Sequence, residues 1–159
     1  VNHPQRRLGA LAALALRWPA FMHSLGVAEP ARAVREFLRS LEHPYWQQHY
    51  TLTSETAARP MALIGESRVA ELMANVVYPL LSARGGEVWS PYEKLGARLT
   101  NRRLETAATR LFGDDPRRPA FLKTVAHQQG LLQIYEDFCL QDNSDCAHCP
   151  FPEQMQGWT

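Results

Sequence analysis

Every cysteine of this chain lies in "CLQDNSDCAHCPFPEQM", residues 139–155, where Cys139, Cys146 and Cys149 are spaced C-x6-C-x2-C and followed at once by proline. Thiolates so close in sequence can wrap one soft metal ion. Cys146 and Cys149 have the C-x2-C spacing that forms half of a tetrahedral zinc site, because both sulfurs turn to one side of a tight knuckle. The Asp, Asn and Ser residues in the x6 gap favour turns that bring this knuckle back toward Cys139. The fourth ligand is less obvious. His148 adjoins Cys149, and neighbours in sequence seldom both reach one ion, while His127 stands about 18 Å from Cys139 on a continuous helix. Water, Asp142, Asp145 or a region outside the chain are the remaining choices. Zinc suits such a closed site, and an iron–sulfur cluster is the lesser candidate because it demands a fourth thiolate that Met155 cannot replace. The plainer alternative is that Cys139 is a small buried apolar side chain and that Cys146 and Cys149 are free or oxidised to each other.

Other side chains capable of chemistry are scattered. His49, with Tyr45, Trp46 and Tyr50 beside it, could line a pocket, since an imidazole among amphipathic aromatics suits both binding and proton transfer; such residues more often staple a loop to a helical core. Arg68 and Asn75 are seven residues apart, hence on one helix face, where they could touch a ligand or cap a kink. Arg98 and Arg102 share a face at i, i+4, and with Arg103, Arg110, Arg117 and Arg118 could contact phosphates. The competing reading is a solvated face paired with Glu93 and Glu105. Gln128 and Gln129 are expected to tie helices together. There is no phosphate-cradling glycine loop, no H-E-x-x-H and no nucleophile elbow, so catalysis by this chain alone is not expected.

The elements that must position these residues are helices. Leu8, Leu11, Ala12, Ala15 and Trp18 form one stripe of a helix ending near Pro19, and Ala31, Val34, Phe37, Leu38 and Leu41 form a second between Pro30 and Pro44. In "ESRVAELMANVVYPLLSARGG" the residues Val69, Leu72, Met73, Val76, Val77, Leu80 and Leu81 mark the clearest amphipathic helix, stopped by Gly85 and Gly86. Pro79 lies inside it and is expected to kink the backbone near Asn75. A fourth helix is predicted over 93–112 and a fifth over 121–139, in which Gly130 predicts a close neighbour. "HPYWQQHYTLTSETAARP" keeps no helical period and reads as a loop with a β-bridge. The fold class is all-α: one globular domain over 1–159 with five or six helices, a cysteine-containing C-terminal loop, and a core of Val69, Leu72, Val76, Leu80, Leu99, Leu122, Leu132 and Phe138.

Composition agrees with a folded domain. An apolar fraction of 45% with four tryptophans has none of the depletion that marks disorder. Seventeen Lys and Arg against sixteen Asp and Glu leave a formal charge of +1, so no global field draws in nucleic acid or an anionic membrane. No apolar run approaches the ~20 residues that span a bilayer. An odd number of cysteines crowded at one end is not a secretory disulfide framework, and a reducing cytoplasm is the expected location. The chain begins at Val1 rather than methionine, which predicts a piece of a longer protein.

"NHPQRRLGALAAL", "YWQQHYTL", "IGESRVAELMANVVYPLL" and "HQQGLLQIYEDFC" with its following cysteines resemble, in that order, the carboxy-terminal part of the bacterial domain-of-unknown-function family 2851. The resemblance implies an amino-terminal region ahead of Val1 carrying an acidic and histidine-rich motif, with this chain as its companion module. No activity comes with that family. Several members have a shorter gap before the second cysteine. The cysteine spacing is also similar to the iron–sulfur loop of helix-hairpin-helix DNA glycosylases, which has a fourth cysteine where Met155 stands here. The expected partners are therefore the missing amino-terminal region and a second copy, with nucleic acid as the runner-up and no membrane.

Overall fold

The computed structural model describes residues 3–97, 101–140 and 146–157. They are all-α and contain no strand, and they make nine helices where five or six were expected. Three helices start on proline, whose fixed φ and missing N–H suit a first helical position: α1 (Pro4–Leu16), α3 (Pro30–Arg39) and α4 (Pro44–Gln48). Pro19 acts in the same way. Rather than closing α1, it sits in the first turn of α2 (Trp18–Ser24).

The long helix α5 covers 66–83 in three parts: α-helical Glu66–Leu72, a π-helical turn over Met73–Val77, and α-helical Tyr78–Ala83. It ends at Gly85, which has φ 81°, with Gly86 N–H donating to the Leu81 carbonyl at 3.0 Å. Beyond it lie α6 (Trp89–Glu93), α7 (Arg102–Phe112) and α8 over 125–140, which is α-helical at Val125–Ile134 and π-helical at Tyr135–Leu140. The last helix is α9 (Phe151–Gln156). Single 3-10 turns occupy Arg118–Leu122 and Cys146–His148.

The short helices α4, α6 and α9 have too few residues for a period to show. The fourth and fifth predicted helices also start later than expected. Asn101 and Thr124 cap α7 and α8, accepting from Leu104 N–H at 2.9 Å and His127 N–H at 3.3 Å. Gly96 and Thr124 form an isolated antiparallel bridge. A bridge was expected within 43–60 instead. That stretch forms α4 and a loop closed by Gln48 and Gln47 carbonyls, which accept from Ala57 and Met61 N–H at 2.6 and 2.9 Å.

The residues gather into two compact units, Val1–Tyr92 and Glu93–Thr159. In the first, α3 packs along all three parts of α5. Val34, Phe37 and Leu38 of α3 are buried, as are Val69, Met73, Val77 and Leu81 of α5. In the second, α7 packs on α8, and Leu104, Ala107, Ala108, Leu131, Tyr135 and Cys139 form the core.

Both long helices bury an i, i+4, i+8 row rather than the alternating i+3, i+4 stripe read from the sequence. In an α-helix successive i+4 positions drift by about 40°, so a straight stripe must also use i+3 positions. A π turn holds more residues, and i+4 positions stack almost in line. Tyr78 N–H accordingly bonds the Met73 carbonyl five residues back. Of the expected core, Val69 is buried, but Val76 is 52% exposed. Leu72, Leu80, Leu122, Leu132 and Phe138 are half-buried, and Leu99 lies outside the described residues. Nothing lies within 4 Å of a Cβ built on Gly130, so the close neighbour predicted there is not found.

The apolar stripe of α1 points the other way from expectation. Leu8, Leu11 and Leu16 are 66, 60 and 83% exposed, whereas Arg6 and Ala13 are buried. The cause lies in what Arg6 and Gly9 meet on the opposite face.

Candidate functional site

Arg6 is 6% exposed, and no carboxylate is its partner among the described residues. Its Nη1 donates to the carbonyls of Trp46 at 2.6 Å and His49 at 2.7 Å, and its Nη2 to the Ala62 carbonyl at 2.8 Å. The Trp46 and His49 carbonyls belong to the end of α4, where a helix leaves its last acceptors without intrahelical partners. Their negative end replaces a counter-ion. Gln47 and Gln48 carbonyls take the loop amides already described, and the Tyr45 carbonyl faces His49 Nδ1 at 3.0 Å. Every carbonyl from Tyr45 to His49 is thus satisfied.

The same junction uses Gln5 and Gly9. Gln5 Oε1 accepts from Leu52 N–H at 2.9 Å, and the Tyr45 hydroxyl donates to the carbonyls of Thr51 at 3.1 Å and Leu52 at 2.9 Å. The Trp46 indole is packed where a side chain on Gly9 would stand. Tyr50 completes the surround, with the Arg6 guanidinium carbon 5.9 Å from its ring centroid.

His49 stacks on Tyr45, with centroids 4.2 Å apart and planes 4° from parallel. Facing a carbonyl, Nδ1 carries the proton of the neutral ring and leaves Nε2 as an acceptor. No carboxylate or nucleophile is paired with it among the described residues. The geometry makes this cluster a junction between α1 and the 44–62 segment, with one half-exposed imidazole at its edge.

Arg68 and Asn75 both turn to Glu71. Arg68 is ion-paired with the Glu71 carboxylate, and Asn75 Nδ2 donates to the Glu71 carbonyl at 3.0 Å. In the second unit, Arg102 is exposed at the start of α7, and Arg98 lies outside the described residues. Arg103 pairs with Glu136 at 3.0 Å. Arg117 pairs with Asp115 at 2.7 Å, and its hydrogen bonds hold the Asp115 carboxyl down to about 2.

The three cysteines are free thiols. Cys139 is buried in the core, Cys149 is half-buried and Cys146 is exposed. Burial pushes the Cys139 thiol up, Arg110 opposes this, and the thiols of Cys149 and Cys146 add to it. Among the described residues no three His, Cys, Asp or Glu side chains are placed to hold one metal ion. Asp142 and Asp145 lie outside them. A ring contact does tie α8 to α9: the centroids of Phe138 and Phe151 are 5.0 Å apart.

Residues 1–100 match the family described as protein of unknown function (DUF2851). The chain belongs to the DUF2851 family. Gln5, Arg6, Gly9, Trp46 and His49 fall inside the matched region, so the α1 junction is built from DUF2851 sequence. The match stops before "HQQGLLQIYEDFC" and the cysteines, and it does not place the chain at the family's carboxy-terminal end. Comparison with curated proteins and with solved structures finds no match. The sequence reading found His49, Trp46 and Tyr50 but missed Gln5, Arg6 and Gly9. Arg6, Gly9 and Ala13 do lie three and four residues apart, a second stripe hidden behind the more apolar one.

Proposed function

We propose that this DUF2851 chain is a helical interaction module of a larger bacterial cytoplasmic protein, and that α1 presents its contact surface. One observation carries the reading: α1 buries its arginine and exposes its leucines. A helix that satisfies Arg6 with three carbonyls and turns Leu8, Leu11 and Leu16 to solvent is held in an orientation that its own unit does not require for hydrophobic burial. Exposed apolar patches of this kind mark interaction sites. In this reading the chain is the carboxy-terminal part of its protein, and the region that the family resemblance places ahead of Val1 is the first candidate partner.

The cysteine segment acts as a clasp on the chain end, and the Phe138–Phe151 contact supports that closure. Zinc is the ion it would take, ahead of an iron–sulfur cluster, and binding would require Cys146 and Cys149 to draw in toward Cys139. Nucleic-acid binding is the weaker reading, since Arg103 and Arg117 already hold carboxylates.

The test is a Leu8→Ser, Leu11→Ser, Leu16→Ser variant. Its melting temperature stays within a few degrees of the parent, and its binding of a hydrophobic dye falls. A large loss of melting temperature would show that these leucines are internal packing and would overturn the reading.

A further inference from the structure

The surface of α1 continues onto α2, where Trp18 and Met22 are also exposed. Residues 3–28 contain no Asp or Glu at all, while Arg7 and Arg17 flank the leucines. Arg17 is fixed in place: its Nη1 donates to the Ser40 carbonyl at 3.1 Å and to Ser40 Oγ at 3.3 Å, and its guanidinium lies 5.0 Å from the Phe37 ring centroid. None of these partners carries a negative charge. A held guanidinium beside an exposed tryptophan is the composition found at the energetic centre of protein interfaces.

The stripe also has relief. Exposed Ala12 and Ala15 alternate with Leu8, Leu11 and Leu16, giving the ridge-and-groove surface into which the side chains of a second helix pack. We infer that the α1–α2 face receives a partner helix that is apolar on one side and flanked by Asp or Glu, one of which pairs with Arg17. This rests on the interaction reading above and names the partner's chemistry. A second copy presenting the same face would set Arg17 against a stretch, residues 3–28, that offers no Asp or Glu to pair with it. A lipid surface would gain only about 1 kcal/mol from each of two arginines and would make no use of the alanine grooves.

The experiment places a photo-reactive diazirine residue at Ala15 in the full-length protein in cells and sequences the captured peptide. The expected product is a helical segment of another protein, or of a different region of this protein, with apolar residues at i, i+3, i+4 and flanking Asp or Glu. Yield should fall about tenfold in Arg17→Glu and Arg17→Gln and stay within about threefold in Arg17→Lys, with unchanged melting temperatures. Capture of α1 of a second copy, of lipid, of a basic or unpatterned segment, or of nothing overturns the inference, as does equal yield in Arg17→Glu. If the serine variant behaves as stated while the captured segment is wrong, the interaction reading stands and only the partner chemistry falls.

Discussion

The indole of Trp46 occupies the space that a side chain on Gly9 would need: a Cβ there would stand 2.7 Å from its Cδ1 and 2.8 Å from its Cε2. Alanine is the better helix former by about 1 kcal/mol. Forcing apart a rigid, buried ring should cost about 1–3 kcal/mol, so Gly9→Ala is expected to destabilise the protein. Urea denaturation measures it, and a stabilised variant would show that the ring slides aside freely.

Arg6→Met keeps most of the side-chain volume and removes all three donors to Trp46, His49 and Ala62. Leaving those carbonyls without partners should cost about 3 kcal/mol. Arg6→Lys restores the charge without the planar fork and should recover only part of it. Equal stability of the Met and Lys variants would mean that geometry at this junction counts for nothing.

Met73 and Val76 are three residues apart and both belong to the apolar stripe read from the sequence, but only Met73 is buried. Met73→Ala removes a side chain with no exposed surface and should cost about 2–5 kcal/mol. Val76→Ala should change stability by less than about 0.5 kcal/mol. The reverse order in paired denaturation curves would restore the regular α-helical stripe.

Stability should depend on pH at both ends of the range. The Cys139 thiol is raised by burial, so the unfolded chain loses its proton first; the contribution is fully present below about pH 9 and is lost above it. Tyr78 and Tyr92, raised by burial too, act in the same direction above about pH 10. Asp115, held down to about 2, contributes above the usual carboxylate range and loses that contribution as pH falls toward 2. Denaturation midpoints between pH 7 and 10.5 should fall less steeply in Cys139→Ala than in the parent.

Anaerobically purified protein should contain about one equivalent of zinc, lost in Cys146→Ser, Cys149→Ser together with part of the melting temperature. Zinc well under one equivalent, with an unchanged melting temperature in that variant, would show that the sulfurs are ordinary packing atoms and that the segment closes without an ion.

The helical class and the α3 face were readable because Val34, Phe37 and Leu38 follow a regular period in a regular helix. The α5 stripe was readable in half, since Val69, Met73, Val77 and Leu81 are buried as read but Leu72, Val76 and Leu80 are not, because a π turn changes the number of residues per turn and leaves no separate mark in the pattern; Pro79 was the one visible sign, and it was read as a kink. At α1 two stripes compete in the same thirteen residues. Hydrophobicity favours Leu8 and Leu11, but the carbonyls ending α4 require Arg6, and those acceptors belong to a helix too short to predict. Of the candidate site, the aromatic half at Tyr45, Trp46 and His49 was legible, and the half supplied from forty residues earlier was not.

The π turn in α5 also bears on how the chain tolerates changes of length. A π turn is an α-helix with one residue inserted, and Val76, exposed there like Asn75, could be that insertion. Deleting it would leave Val69, Met73, Val77 and Leu81 at relative positions 0, 4, 7 and 11, an ordinary α-helical seam, so both flanks would keep their faces toward α3. The obstacle is Pro79, which would then fall inside an uninterrupted α-helix where its ring meets the carbonyl four residues back. Loss of the extra residue and replacement of the proline are therefore coupled: a shortened helix is compatible with the fold only where that proline has gone.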